Sequence, residues 1–457
     1  MTVMSKPAMS AVSASDASSS SYESLIPDPV FPSTTEEYRR ALSGQPRRLA
    51  KVNELRDWLF GEARTRRDTH VMLAGVCEHL NQTGVPVDRG TIALRTLHSE
   101  HAAVGRLWTK GGGSSGETFG FAGELKENAL SADPQVSAAY LRSPFYRVHE
   151  ARQPLSLWLA QAPDDLYGVV SDLKRDGYVH YLCYPIFFGN GDKNGIAFAT
   201  KNPAGFSDAD LAVIGFMMPA CAAILEILGG YRNLDQLLRI YVGDEPHKAI
   251  LSGAVRRGAV TRIRSAILFA DMRSYTQFTA TLSPEAAVEL LNAYFDCLVP
   301  PIEAEGGEVL KYLGDGLLAI FRERGDDLGG AAQSALMAAN RALGEVRRAT
   351  GERRFEVPVA VGIALHHGEA AYGNVGSGER LDFTVIGRDV NLASRLAKLN
   401  KSLNEPLLMS KPFVEHLWGD PQLLGSFDLD GFAEAVEVYR PNGADLVETP
   451  SKTQGFA

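Results

Sequence analysis

The segment Glu308–Phe321 constrains the fold of this chain most, because it places two apolar runs on either side of a Gly-Asp-Gly turn. This pattern is typical of a β-hairpin. Gly314 and Gly316 can adopt a positive φ and leave the backbone around Asp315 open. The sequence therefore predicts a hairpin that presents the Asp315 carboxylate to a ligand, although an Asp in such a turn is more often a cap of the local backbone.

Length and charge narrow the class of protein. A chain of 457 residues is long enough for two or three domains, each with its own core. Its net charge of -9 argues against a broad basic surface for nucleic acid. The cysteines are far apart and show no CxxC spacing, which predicts reduced thiols in a cytoplasmic protein rather than disulfides or a zinc site. They are Cys77, Cys183, Cys221 and Cys297.

The longest apolar run, Leu211–Leu228, contains Pro219 and Glu226 and lacks a clean apolar span of about twenty residues. We interpret it as a buried helix and expect no membrane span. The first residues of the chain are rich in Ser and Ala and lack the apolar core of a signal peptide. Both observations favour a cytoplasmic location.

Composition and periodicity divide the chain into five predicted segments. They are a disordered tail at 1–35, an α+β domain at 36–228, a helical connector at 229–260, a second α+β domain at 261–441 and a flexible tail at 442–457.

In the domain at 36–228 we expect two helices, a strand at 91–97, a flexible loop at 111–116 and a strand pair at 181–188 and 194–200. A closing helix follows, with Ser207 and Asp210 spaced as a capping box. The histidines of this domain show no spacing of metal or haem ligands, and we expect ordinary core or surface roles for them. They are His98, His101, His149 and His180.

After residue 260 the pattern predicts a strand at 263–271, a helix at 284–304, the hairpin, a helix at 328–350, a strand at 357–367, a short strand at 370–375 and a helix at 388–400. Ser283 is the predicted N-cap of the helix at 284–304, with Pro284 at its first position. The β-α-β-β-α-β part of this order predicts a ferredoxin-like sheet with helices on one face, extended by a C-terminal unit. In such a sheet the end of the first strand, at Asp271, can lie beside the turn of Asp315. Adjacent carboxylates raise each other's pKa unless a cation neutralises them, and oxygen ligands suit Mg²⁺ or Mn²⁺. Two-metal phosphoryl or nucleotidyl transfer follows as one interpretation, and two independent turn caps as the other.

A third stretch, Arg380–Leu396, favours the first interpretation. A helix here places Leu392 and Leu396 on the core side, while Asn391 and Arg395 lie four residues apart on the adjacent flank. An Asn in the middle of a helix costs helix propensity, so a paired amide and guanidinium at the margin of a core favour a binding role over a solvated face.

Three motifs, FADMRSYT, GGEVLKYLGDGLLAIF and LDFTVIGRDVNLASRL, resemble those of the class III nucleotidyl cyclases in order and approximate spacing. The resemblance covers about 260 to 440. It implies two divalent cations per site, held by Asp271 and Asp315 with help from the backbone carbonyl of Met272. It also implies that Asn391 orients the ribose and that Arg395 stabilises charge on the α-phosphate.

The resemblance further implies that Lys311 and Thr384 read the base. A Lys donor suits N1 of adenine and a Thr hydroxyl can accept from its amino group, whereas guanylate cyclases typically place Glu and Cys there, so this pair implies ATP. In this family the metal aspartates come from one subunit and the other residues from its partner. We therefore expect a head-to-tail homodimer with two sites.

Two departures affect the phosphate contacts. Some relatives have a Lys near the glycine of the last strand pair, where this chain has Asp430-Gly431-Phe432, and some have an Arg at the position of Glu369. Arg273, Arg380 and Arg388 are the candidate replacements. The chain thus resembles an adenylate cyclase, with guanylate cyclase activity and a silent nucleotide-binding module as the alternatives.

The domain at 36–228 is similar in arrangement, and in its Gly-Phe-Ser-Asp entry to the last helix, to the GAF-like sensor domains that precede catalytic domains in bacterial signalling proteins. This implies regulation by a small-molecule or protein signal of unknown identity.

Overall fold

A computed structural model describes residues 35–97, 101–120, 138–253, 256–258, 260–323, 329–377 and 380–442. The chain forms two compact units, divided between Leu237 and Leu238, inside the segment predicted as a connector. The predicted tails at 1–35 and 442–457 lie outside the described residues, except for Thr35, which begins a helix, and Asn442.

The N-terminal unit is an α+β fold built on a six-stranded antiparallel sheet. Its strands are β1 Arg89–Arg95, β2 His101–Thr109, β3 Gly113–Gly120, β4 Leu155–Trp158, β5 His180–Phe187 and β6 Lys193–Thr200. They lie in the order β3-β2-β1-β6-β5-β4.

Its helices are α1 Thr35–Ala41, α2 Pro46–Trp58, α3 Arg64–Arg66, α4 Thr69–Gln82, α5 Ala138–Leu141, α6 Pro144–Ala151, α7 Val170–Arg175 and α8 Asp208–Val242, with a π-helical turn at Leu59–Ala63. Residues of α4 and α8 form the main core of this unit with the apolar face of the sheet.

The sequence correctly predicted some strands of this sheet and missed others. The predicted pair at 181–188 and 194–200 corresponds to β5 and β6. The predicted flexible loop at 111–116 is wrong, since only 110–112 form the turn and β3 begins at Gly113. Gly111 has a φ of 80°, which suits the turn, and the polar, glycine-rich β3 shows none of the apolar alternation by which strands are recognised.

Helix α8 begins with the predicted capping box. The Ser207 N–H and hydroxyl each donate to the Asp210 carboxylate at 2.8 Å, and the Asp210 N–H donates back to the Ser207 hydroxyl at 3.3 Å. In the described part of the chain, α8 is the one helix long and apolar enough to cross a membrane, but 61% of its most apolar window is buried inside the fold. It therefore packs as the core helix that the sequence predicts.

The C-terminal unit is also α+β. Its strands are β7 Val260–Met272, β8 Glu308–Leu313, β9 Gly316–Arg322, β10 Val361–Ser377, β11 Arg380–Ile386, β12 Leu407–Ser410, β13 Gln422–Phe427 and β14 Val436–Arg440. Its helices are α9 Asp244–Leu251, α10 Tyr275–Thr279, α11 Pro284–Ala304, α12 Gly330–Gly351, α13 Arg388–Ser402 and α14 Lys411–Val414.

The sheet of this unit has the order β13-β14-β12-β10-β7-β9-β8, with β11 paired to β10. Within it, β10-β7-β9-β8 is antiparallel, and α11 and α12 pack on one face, as predicted for a ferredoxin-like core. Helix α13 belongs to the C-terminal extension and packs on the opposite face, where Val390 and Leu396 are buried against the sheet.

Strands β10 and β11 differ most from the prediction. A strand at 357–367 and a short strand at 370–375 were expected, but β10 is one strand of 17 residues, whose residues 361–373 pair with β7 and 371–377 with β11. Strand β11 was not predicted. Its Phe383 and Val385 pack with Ile267, Leu318 and Ile320, so the hairpin folds back onto the sheet.

Candidate active site

Asp271 and Asp315 are neighbours, as the topology predicts. Asp271 lies opposite Gly316 in the antiparallel pairing of β7 and β9. The Met272 N–H donates to the Asp315 carbonyl at 3.2 Å, which joins the end of β7 to the turn between β8 and β9. The three residues assigned to metal binding therefore lie together in one chain.

Burial raises the pKa of both carboxyl groups in this pair. Asp271 lies at the surface, yet partial desolvation and then the charge of Asp315 raise its pKa to about 6. Partial burial also raises the pKa of Asp315. Each carboxylate is thus destabilised in its charged form, and a divalent cation would reverse that effect.

The surroundings fit such a cation. A Cβ on Gly316 would lie 2.8 Å from the Ala270 carbonyl oxygen and 3.1 Å from Asp271 Oδ1, so this glycine keeps the approach to the carboxylate open. Below them, the Tyr294 hydroxyl is buried without a hydrogen-bond partner among the described residues. Burial first, and then the charges of Asp271 and Asp315, raise its pKa. The oxygen donors suit Mg²⁺ or Mn²⁺.

The two predicted base-reading residues lie on adjacent strands. Lys311 Nζ lies 2.6 Å from Asp382 Oδ2, an ion pair between β8 and β11. Asp382 and Thr384 are two residues apart on β11 and therefore share one side of the strand, opposite to the packed Phe383. The ion pair thus holds the Lys311 ammonium on the side of Thr384.

Asn391 and Arg395 occupy the exposed flank of α13, as the helical periodicity predicts. Leu392 and Leu396 are buried beside them, Asn391 is exposed, and Arg395 is partly exposed. In the described part of the structure neither side chain makes a hydrogen bond or ion pair. Both are therefore available to a ligand.

Within one chain these residues form separate groups. Across the residues described, no hydrogen bond or ion pair joins Asp271 or Asp315 to Lys311, Thr384 or the Asn391–Arg395 pair. The expectation that two subunits complete one site remains a prediction.

The three candidate replacements for the phosphate ligands differ in their surroundings. Arg273 donates to the carbonyls of Asn400 and Glu405 at 3.1 and 2.6 Å, so it ties the end of α13 to β7. Arg388 lies over the Phe432 ring at 5.6 Å, beside the turn where some relatives carry a Lys. Arg380 is exposed.

Glu369, where some relatives have an Arg, forms an exposed ion pair with Arg262 at 3.0 Å. Its N–H donates to the Asp389 carboxylate at 2.7 Å. These contacts join β10 to β7 and to α13. They give Glu369 a structural role and no role in binding phosphate.

Sequence reasoning missed Asp382 and Tyr294. The sequence contains a signal for Asp382, because residues 381–385 alternate between apolar and polar, which is typical of a strand with Asp382 and Thr384 on one side. Tyr294 carried none, since a buried Tyr on an apolar helix face is indistinguishable from an ordinary core residue.

Two histidines of the N-terminal unit have structural roles. His149 and His180 are buried, and both ring nitrogens of each lie within hydrogen-bond distance of a partner. The partners are the Tyr140 hydroxyl and Asn194 carbonyl for His149, and the Ser156 hydroxyl and Phe206 N–H for His180. His98 lies outside the described residues, and the side chain of His101 is likewise not described. All four cysteines are free and buried.

Part of the C-terminal unit is similar to known proteins. Residues 261–410 match the family of the adenylate and guanylate cyclase catalytic domain. An adenylate cyclase of Anabaena cylindrica is 32% identical over 188 residues, which are 40% of this chain and 37% of that protein. Adenylate cyclase 1 of Rhizobium meliloti is 30% identical over 212 residues, 45% of this chain and 31% of that protein.

The crystal structure of the adenylyl cyclase CyaB from P. aeruginosa aligns with 40% of this chain and 94% of its own, at 25% identity and a TM-score of 0.35. The chain spans about a third of the length of the two adenylate cyclases that it matches. Residues 261–410 are a class III nucleotidyl cyclase catalytic domain, and the N-terminal unit is an α+β region of unassigned fold.

Proposed function

We propose that this chain is an adenylate cyclase that converts ATP to 3′,5′-cyclic AMP and pyrophosphate. The observation that carries the proposal is the adjacent pair Asp271 and Asp315 within a cyclase domain, with the pKa of Asp271 raised to about 6. A carboxyl with that pKa loses its proton as the pH rises through about 6, and a bound divalent cation would favour the ionised form.

Asp271, Asp315 and the backbone carbonyl of Met272 would hold two divalent cations, Mg²⁺ or Mn²⁺. Bound in such a site, the cations lower the pKa of an attacking hydroxyl and neutralise charge on the leaving polyphosphate.

The side chains of α13 act on the sugar and the α-phosphate. In the reaction, the ribose 3′-oxygen forms a bond to the α-phosphorus, the bond to the bridging oxygen breaks, and pyrophosphate leaves with the electron pair while the hydroxyl proton passes to water. Arg395 supplies a fixed positive charge where negative charge develops on the α-phosphate oxygens. Asn391 hydrogen-bonds the ribose and holds its 3′-oxygen in line for attack.

Lys311 and Thr384 select the base. Adenine presents an acceptor at N1 and a donor at its amino group, which match an ammonium donor and a hydroxyl acceptor. Guanine presents a donor at N1, which a Lys cannot satisfy. Asp382 is a positioning residue, because it fixes the direction of the Lys311 ammonium.

We propose a head-to-tail homodimer, since the two groups of site residues are not joined within one chain. Metal ligands of one subunit would face the Lys311 and Arg395 of the other, giving two equivalent sites. Two relatives that are named adenylate cyclases support the choice of reaction.

The N-terminal unit is proposed to be a GAF-like sensor for a small-molecule or protein signal, in a cytoplasmic enzyme. A six-stranded antiparallel sheet with a long closing helix supports this assignment. Small reorientations of the subunits would then assemble or disrupt both sites.

Incubation of the purified full chain with Mn²⁺ and either ATP or GTP tests the proposal. Cyclic AMP from the wild type and none from Asp271→Ala is the expected result. Faster cyclic GMP formation would instead make it a guanylate cyclase, and ATP binding without product would make it a silent nucleotide-binding module.

A further inference from the structure

Three metal-ligating side chains meet at a second place on the C-terminal sheet. Glu323 follows β9, His367 lies in β10 and His416 follows α14, and one potential ligand atom of each lies within 4.8 Å of the others. His367 pairs with Ala266 of β7, whereas Asp271 pairs with Gly362. Five residues of strand, or about 17 Å, therefore separate this cluster from the Asp271 site.

The contacts within the cluster are close. His367 Nε2 donates a hydrogen bond to Glu323 Oε1 at 2.7 Å, and the rings of His367 and His416 stack with centroids 3.8 Å apart. A bound ion would therefore replace the Nε2 proton and require one ring to turn, because imidazole lone pairs lie in the ring plane. The side chains of His367 and Glu323 are only 2% and 10% exposed. Placing two imidazoles and a carboxylate together in a shielded position is costly unless their lone pairs are satisfied.

One hydrogen bond and one ion pair around the cluster orient its ligand atoms. His416 Nδ1 lies 2.8 Å from the Pro412 carbonyl, which can only accept, so Nδ1 carries the proton and Nε2 keeps a free lone pair. Glu323 Oε2 lies 3.8 Å from Arg264 Nε, which leaves Oε1 toward the histidines. The carbonyl behind His416 is the kind of partner that orients metal-bound imidazoles.

We propose that Glu323, His367 and His416 bind Zn²⁺ at a site distinct from the one of Asp271 and Asp315. Two imidazole nitrogens and one carboxylate oxygen are a zinc donor set that leaves a fourth position for water. Mg²⁺ prefers all-oxygen sites, so the two sites differ in the metal that they select. The inference does not depend on the cyclase activity.

Bound zinc would connect three segments that are distant in sequence: the end of β9, the middle of β10 and the chain after α14. Because the unfolded chain does not hold these ligands together, binding would stabilise the folded state.

The test uses the full chain carrying Asp271→Asn and Asp315→Asn, so that the other metal site is removed. Zinc content after gel filtration, Co²⁺ absorption in the visible range and the melting temperature are measured with and without Zn²⁺. One zinc per chain, a tetrahedral Co²⁺ spectrum and a higher melting temperature with zinc are expected.

Replacing His416 by Ala in this background should weaken zinc binding at least tenfold and remove the rise in melting temperature. Glu323→Gln keeps the size of the side chain and should weaken binding as well. The matched control is His79→Ala, because His79 Nδ1 makes the same kind of contact to a carbonyl four residues earlier, at 2.8 Å, outside the cluster. It should leave zinc binding unchanged.

Absence of zinc at micromolar concentrations in the double variant would overturn the proposal, as would equal zinc affinity in the folded His416→Ala and parent proteins. Circular dichroism of each variant establishes that it is folded before the comparison is made.

Discussion

Lys311 on β8 and Asp382 on β11 are 71 residues apart in the sequence and form an ion pair of 2.6 Å. The pair is partly exposed, with 37% of the Lys311 side chain and 61% of the Asp382 side chain accessible. Because Thr384 lies on the same side of β11, the ion pair would determine where the ammonium meets the base under the proposed assignment of Lys311 and Thr384.

Asp382→Asn should raise the KM for ATP by roughly fivefold while changing kcat less, because an exposed ion pair contributes at most about 1 kcal/mol to the position of its partner. Steady-state kinetics with ATP and Mn²⁺ measure this split. The matched control is Glu437→Gln, which removes an ion pair with Lys411 of 2.7 Å in the same unit. An equal effect of both substitutions would contradict the role given to Asp382.

The paired substitution Lys311→Glu with Thr384→Cys should shift preference from ATP toward GTP. A Glu carboxylate can accept from the N1 donor of guanine, whereas the Lys ammonium cannot. The ratio of kcat/KM for the two nucleotides is the measurement. Loss of ATP turnover with folding intact and no gain with GTP would argue against the assignment of the base-reading pair.

Asp315→Ala and Lys311→Ala should each be inactive alone and regain partial activity when mixed. In a mixed dimer one interface combines the intact metal ligands of one subunit with the intact Lys311 of the other, while the second interface lacks both. Activity is measured across mixing ratios after subunit exchange. If both residues served one site within a single chain, mixing would restore nothing.

The raised pKa of Asp271 predicts how stability depends on pH in the absence of divalent cations. The folded state holds a proton on this carboxyl up to a pH of about 6, whereas the unfolded chain releases it near about 4. The favourable contribution of the protonated form is thus complete below about pH 4 and is lost as the pH rises through 6.

Asp271→Asn should therefore raise the melting temperature in EDTA at pH 7.5 and leave it unchanged at pH 4. Thermal unfolding at both pH values measures the difference, with Asp428→Asn, an exposed residue of the same unit, as the control. By the same competition, Mn²⁺ should bind the wild type more weakly as the pH falls below 6. A melting temperature that is lower for Asp271→Asn at pH 7.5 would show that the carboxylate is stabilised instead.

Much of this site follows from the sequence. Helix 284–304 has the predicted limits, with the Ser283 hydroxyl accepting from the Ala286 N–H at 3.2 Å and Pro284 in the first turn. The proximity of Asp271 and Asp315 follows from a β-α-β-β-α-β order, because that order places the first strand beside the third. Local periodicity and known topology are enough for both.

The rest depends on contacts that local patterns do not contain. Gly368 lies between the two strands predicted at 357–367 and 370–375, yet β10 continues through it. A Cβ on Gly368 would lie 2.3 Å from Asp389 Oδ2, so any larger residue here would clash with the first turn of α13. The ion pair of Asp382 with Lys311 and the cluster of His367 with Glu323 and His416 likewise join residues from separate parts of the sequence. Only the folded chain brings these residues together.

Strand β10 contributes to both proposed sites of the C-terminal unit. It pairs with β7, which contains Asp271, and with β11, which contains Thr384. It also includes His367 and Gly368, the glycine that packs against α13. Because side chains alternate along a strand, a shift of one residue would exchange the faces of His366 and His367 and place a side chain against Asp389. A single-residue insertion or deletion between Val361 and Gly368 should therefore damage both the nucleotide site and the proposed zinc site at once, whereas most point substitutions would affect only one of them.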